Sequence, residues 1–152
     1  MEIVVFTYQE HMFADSKLRE IELGISSFFK NTLKFVPLII FVKVSSGNAY
    51  SAGAPSSTSI VMVSLPSNLK QPERSITMKN FASELVQLTG TPNKDILCNF
   101  ATTAVLLQNI NLLQSRASLI VRIQTTLSLT LRAFSNKLAK GIYQIPLNPG
   151  EL

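Results

Sequence analysis

Residues 102–140 carry two incompatible periodicities, and the fold depends on which one wins. Leu106, Ile110, Leu113, Ala117, Ile120, Gln124, Leu127, Leu131, Phe134 and Leu138 recur in steps of four and three, with only Gln124 polar. That is the seam of a helix with a heptad pattern. Over the second half, Leu119, Val121, Ile123, Leu127, Leu129, Leu131 and Ala133 are instead apolar at every second position, with only Thr125 out of pattern. Ile120, Arg122, Gln124, Thr126, Ser128, Thr130 and Arg132 alternate with them, as on a half-buried strand. Thr125, Thr126, Ser128 and Thr130 are weak helix formers that suit a pleated surface. Local propensity therefore predicts a helix over 103–117 and a strand or strand pair over 119–133. So long a strand exceeds the usual length, and it needs a bent sheet or a partner chain to cover it.

Upstream, the pattern is easier to read. Ile3 to Tyr8 is a β-branched and aromatic run, a first strand. Ala14 to Lys34 is a helix with its apolar face at Leu18, Ile21, Ile25, Phe28 and Leu33; Asp15 or Ser16 serves as N-cap and Pro37 ends it. Leu38 to Val44 and Ser59 to Leu65 are strands. Flexible loops are expected near 45–58 and 66–75. A second helix spans 77–89 on a stripe of Met78, Phe81, Leu85 and Leu88, with Gly90 just past its end. Ile96 to Ala101 is a short strand, and Ile142 to Leu147, interrupted by Pro146, is an edge strand or tail. The predicted class is α+β: a mixed or antiparallel sheet packed with two or three helices. Over residues 1–101 the order of elements resembles the ferredoxin-like or split βαβ order. An extra helix and a long β segment follow at the C-terminus. No internal repeat is visible, and the length suits a single domain over 1–152.

Chemistry is sparse. His11 and Cys98 are single copies among nine acids, which excludes a multi-His or Cys-rich metal cluster. No phosphate-binding glycine loop, dinucleotide fingerprint or nucleophile elbow is present. Glu10, His11 and Asp15 lie close together and could form a small polar site between the first strand and helix, although exposed N-cap residues are the plainer reading. A Cys98–His11 nucleophilic pair is conceivable, but Cys98 sits in an apolar run where a small buried hydrophobe is the usual role. These observations predict neither an enzyme nor a cofactor.

Surface composition directs the functional reading. Charged residues make up 15% of the chain, low enough that a soluble exterior needs a covering partner. The expected function is a non-catalytic protein–protein interaction subunit or assembly factor. Its interface is placed at Leu106, Ile110, Leu113, Leu119, Val121, Ile123, Leu127, Leu129 and Leu131. The partner is another subunit or a second copy. The net charge is +5, and no Asp or Glu occurs between Ile96 and Gly150. Arg116, Arg122, Arg132, Lys137 and Lys140 are therefore candidate anion or nucleic-acid contacts, and a nucleic-acid accessory protein is the second reading. A viral structural or accessory protein is a third. The most apolar run, Phe35 to Val44, is too short to span a membrane. A free cysteine and the absence of a signal-like N-terminus point to a reducing, cytoplasmic or nuclear location.

Overall fold

The computed structural model describes residues 1–45, 50–51, 54–102, 104–105 and 119–147. The chain forms β1 (Ile3–Gln9), α1 (Asp15–Leu33), β2 (Leu38–Val44), two short strands β3 (Tyr50–Ser51) and β4 (Ala54–Pro55), and β5 (Ser59–Leu65). It continues as α2 (Gln71–Thr89), a 3-10 turn (Asn93–Asp95), β6 (Ile96–Thr102), α3 (Leu119–Lys140) and β7 (Tyr143–Leu147). The main sheet has the order β6-β5-β1-β2-β7, and β3 pairs only with β4. The α+β class, the mixed sheet and the order of elements over the first hundred residues are as the sequence implies.

The internal symmetry is not visible in the sequence. β1 and β2 are adjacent and parallel, as are β5 and β6, and β1 meets β5 antiparallel. The two halves are thus complete βαβ units set side by side, not interleaved as in a split arrangement. Strands β1 and β5 and helices α1 and α2 match residue for residue, each 56 positions after its counterpart. Even the helix ends agree. Lys34 closes α1 and Gly90 closes α2, both in the left-handed region at φ 62° and 69°. The repeat that the sequence does not reveal is therefore present in the backbone. It is hidden because each unit met its packing needs with different side chains.

Alternation builds the core. Val4, Phe6 and Tyr8 on β1, Ile39 and Phe41 on β2, and Val61, Val63 and Leu65 on β5 are buried on one face of the sheet. Against them lie Leu18, Ile21, Ile25 and Phe29 of α1 and Phe81 and Leu85 of α2. Phe28, Phe29, Phe81 and Phe100 interlock with ring centroids 4.9–5.7 Å apart, joining both helices to β6. Gly24 lets the helices approach closely, since a Cβ there would run into the Leu88 side chain.

Two boundaries differ from expectation. The N-cap of α1 is Ala14, with Asp15 already inside the first turn. α2 begins at Gln71, not near 77. Pro72 is preset for a first helical turn, and the Glu73 carboxylate accepts the Lys70 amide at 3.0 Å, so the expected loop at 66–75 ends by Lys70.

The largest correction concerns 119–133, which is helical and belongs to α3. The alternating pattern is misleading because it mixes two surfaces. Leu129 and Ala133 turn toward the sheet, while Leu127 and Leu131 remain 58% and 62% exposed. The threonines do not oppose the helix: the Thr130 hydroxyl donates to the Thr126 carbonyl one turn back at 2.7 Å. Packing against β7 outweighs weak propensity. The heptad seam fares no better as a buried stripe, since Phe134 and Leu138 are also exposed.

Candidate active site

β1, β2 and β7 run parallel, so their carboxyl ends lie at the same side of the sheet. Ligands of open α/β sheets bind there by preference, because helix N-termini and strand ends converge. Beside the carboxyl end of β1 begins a connected chain of polar side chains that reaches across to the amino-terminal part of β7. Tyr8 is fully buried near the end of β1. The Gln144 side-chain amide, on β7, donates to the Tyr8 hydroxyl at 2.5 Å. Lys140, at the end of α3, donates to the Gln144 carbonyl oxygen at 3.0 Å. Its ammonium also lies 3.4 Å from Asp15, in the first turn of α1. The chain therefore runs from a half-exposed ion pair, Asp15–Lys140, inward to a buried phenol.

Each member is held by its element. Asp15 occupies the helix N-terminus, where a negative charge is favoured by the exposed amide dipoles. Lys140 is fixed at both ends, since its own carbonyl accepts the Arg19 guanidinium Nε–H at 2.7 Å. Gln144 is one of few buried polar side chains, and its backbone carbonyl accepts Asn136 at 2.7 Å. Burial pushes the Tyr8 hydroxyl up to about 12, partly offset by the Gln144 hydrogen bond and reinforced by the nearby Asp15 charge. Tyr8 is thus a neutral anchor at physiological pH, while Asp15 and Lys140 present an accessible carboxylate and an accessible cation side by side. Such a pair can hold an anionic group and exchange a proton with it.

Raised values also fix the response to alkali. The Tyr8 pKa lies above its unfolded value near 10, and that of Cys98 is raised by burial from about 9 to about 11. Both groups bind their protons more tightly when folded, so their contribution is complete below pH 9 and is lost as pH rises through 12. Urea midpoints are expected to be level from pH 7 to 9 and to fall steadily above. Cys98→Ser should remove the part of the fall between 9 and 11, and an unchanged profile in that variant would contradict the assignment.

The structure separates the residues singled out in the sequence. Leu106, Ile110, Leu113 and Arg116 lie outside the described residues. Leu119, Val121, Arg122 and Ile123 lie in the first turns of α3. Leu129 lines an apolar cleft of about 520 Å3 with Leu38, Ile40, Phe134, Tyr143 and Ile145, while Leu127 and Leu131 face away from it. Among the described basic residues, Lys137 and Lys140 are engaged by acids of α1. Lys137 donates to Glu22 at 3.0 Å and to the Gly141 carbonyl at 2.8 Å, and its ammonium sits 4.9 Å above the Tyr143 ring. Lys140 serves Asp15 and Gln144 as described, and Arg132 is likewise engaged. The positive charge of the C-terminal third is thus partly spent on the acids of α1. Asp15 stands where sequence reasoning placed a small polar site. Tyr8 and Gln144 were missed, and only a polar residue inside an otherwise apolar strand, Gln144, could have drawn notice. Cys98 lies on β6, separated from β1 by β5, and a thiol raised to about 11 is not a nucleophile at neutral pH. Among the described residues no group of three His, Cys, Asp or Glu could hold a metal ion. No helix among them is long and apolar enough to cross a membrane.

No family model matches the sequence, and no curated protein matches it. Solved structures do. A fused 4-OT (4-oxalocrotonate tautomerase), a wild-type symmetric trimer, superposes with a TM-score of 0.59 at 10% identity, covering 66% of this chain and 84% of that one. Pt0534, solved after inactivation by 2-oxo-3-pentynoate, gives 0.60 at 12% identity over 66% and 84%. N1, of the cis-3-chloroacrylic acid dehalogenase family, gives 0.59 at 9% identity over 66% and 75%. At this identity the likeness concerns the fold. It nonetheless overturns the expectation of a non-catalytic interaction subunit or assembly factor. The solved structures that share this architecture are of a tautomerase and of a dehalogenase-family member, and the expectation that the chain is not an enzyme is corrected on that ground. That reading sought chemistry in sequence motifs alone, and the lead came instead from the fold.

Proposed function

We propose that this chain is an enzyme that moves a proton within a small unsaturated or 2-oxo carboxylic acid, as tautomerases do, and that it works as a homo-oligomer. The observation that carries the reading is the paired βαβ architecture, shared over most of the length of tautomerase chains, some of them trimers. The Asp15–Lys140 pair beside the carboxyl end of β1 suits the chemistry. Lys140 receives the substrate carboxylate as a charge-assisted contact. Asp15 takes the proton from the enol oxygen and returns it to carbon, so the substrate is rearranged with no net loss of atoms or electrons. Gln144 and the neutral Tyr8 keep Lys140 in place from beneath.

The test combines turnover and labelling. Ketonisation of a small enolic 2-oxo acid, followed by ultraviolet absorbance, is expected to be accelerated above the buffer rate. Lys140→Met should raise KM by up to about fivefold, the equivalent of one lost exposed charge contact of about 1 kcal/mol. The acetylenic acid 2-oxo-3-pentynoate should label the protein once, at a residue within 10–17 or 137–144, with the enol substrate protecting. Absence of both turnover and labelling would reject the enzyme, while labelling elsewhere would reject this placement of the site.

A further inference from the structure

α1 and α2 turn the same stripe of positions toward the sheet. Ile21, Ile25 and Phe29 are buried on α1, and Thr77, Phe81 and Leu85, each 56 positions on, are buried on α2. One member of the stripe differs in kind. Leu18 of α1 has no exposed surface, and Arg74 stands 56 positions after it on α2. A guanidinium on the sheet-facing side of a helix is costly unless its donors and its charge are both met.

The donors of Arg74 are met in part. Nε donates to the Leu69 carbonyl at 2.9 Å and Nη2 to the Ser67 carbonyl at 3.3 Å. These bonds lock the guanidinium against the turn that precedes α2, and both acceptors are neutral. Among the described residues no acid pairs with Arg74. Nη1 and the second Nη2 hydrogen form an edge of the kind that two oxygens of one carboxylate match.

That guanidinium lines a cleft of about 260 Å3 between the start of α2 and β6. Gln71 and Ser75 bring an amide and a hydroxyl to its wall, and Met78, Cys98 and Phe100 bring apolar surface. The space is a little below the roughly 300–1,000 Å3 of sites for drug-sized ligands. We infer that this cleft binds a small organic carboxylate. The carboxylate lies on the Arg74 fork, and a short aliphatic or aromatic body rests on Met78, Cys98 and Phe100. The two carbonyl bonds hold the fork in place beforehand, so little side-chain freedom is lost on binding. The site is separate from the Asp15–Lys140 pair, since β5 stands between β6 and β1, and it does not depend on the enzyme reading.

Cys98 is the one thiol of the chain and lines the cleft, so its alkylation by iodoacetamide at about pH 9 reports occupancy. With benzoate as the probe, half-protection is expected at about 0.1–1 mM. At ten times that concentration the alkylation rate should fall about tenfold. Benzyl alcohol, with the same ring and no charge, should not protect. Lys140→Met should leave the protection by benzoate unchanged. Arg74→Gln should raise the half-protecting concentration at least about tenfold. Because Arg74 also holds the turn before α2, Ser75→Phe is the companion variant: it fills the cleft, leaves the two carbonyl bonds in place and should abolish the response to benzoate with unchanged circular dichroism. No protection by about 10 mM benzoate would overturn the site. So would protection that persists in both cleft variants, that benzyl alcohol gives equally, or that Lys140→Met removes. Protection by phenyl phosphate at concentrations tenfold or more below those of benzoate would overturn the carboxylate in favour of a phosphate ester.

Discussion

Asp15→Asn is expected to lower kcat for enol ketonisation by about 10²- to 10⁴-fold, the usual contribution of a positioned acid–base group, with a smaller change in KM. The substitution preserves shape and the place in the first turn of α1, and it removes the carboxylate paired with Lys140. Its structural cost is small, because a half-exposed pair contributes at most about 1 kcal/mol. Folding and chemistry are thereby separated: the variant should melt close to the wild type while losing turnover. A kcat within threefold of the wild type would remove Asp15 from the mechanism. An unchanged kcat with a raised KM would instead make it a binding residue. The alkaline profile offers an internal control, since Asp15 also helps hold the Tyr8 hydroxyl high.

The second large effect is structural. Phe81→Ala should destabilise the protein by about 3–5 kcal/mol, as large-to-small changes at fully buried aromatics do. For a chain of this length that is a fall in melting temperature of roughly 10–15 °C. Phe81 has no exposed surface. Its ring contacts Phe29 at 4.9 Å, Phe28 at 5.2 Å and Phe100 at 5.7 Å between centroids. It is thus the point at which α1, α2 and β6 meet, and the cavity left behind has rigid rings on three sides and little means to collapse. Differential scanning calorimetry decides the matter. A loss under about 1.5 kcal/mol would mean that the cluster closes over the gap, and the aromatic interlock would then carry little of the fold.

Much of the architecture can be read in the chain because it depends on short-range pattern. Alternation in Ile3 to Tyr8 and in Ser59 to Leu65, the apolar stripe ending before Pro37, and Gly90 after α2 all act locally. Propensity and burial agree at these sites. The C-terminal third is different. Residues 119–133 satisfy a strand period and a helix period at once, and what decides between them is packing of the helix on β7, where Phe134 meets Tyr143, a strand placed by pairing with β2 about a hundred positions back. Threonine propensity, a local quantity, gave the wrong sign. The candidate site is half legible for the same reason. Asp15 lies near Glu10 and His11 in sequence and draws attention, but its partners Lys140 and Gln144 arrive from the far end of the chain. The basic residues of α3, met without their acids, look like an anion-binding surface. The acids that engage two of them, Asp15 and Glu22, sit on α1.

The placement of β7 has a kinetic consequence. Within each βαβ unit the paired strands begin 35 or 37 residues apart, as Ile3 with Leu38 and Ser59 with Ile96 show. β7 reaches β2 from much farther, pairing Tyr143 with Ile40. Tripling the length of a closed loop adds about 1 kcal/mol of chain entropy, and long-range pairings are slow to form. The two units are therefore expected to form early, and the strand that brings Gln144 to Tyr8 late. The polar chain beside β1 needs that late strand, so the chain is expected to acquire its proposed chemistry later than its shape.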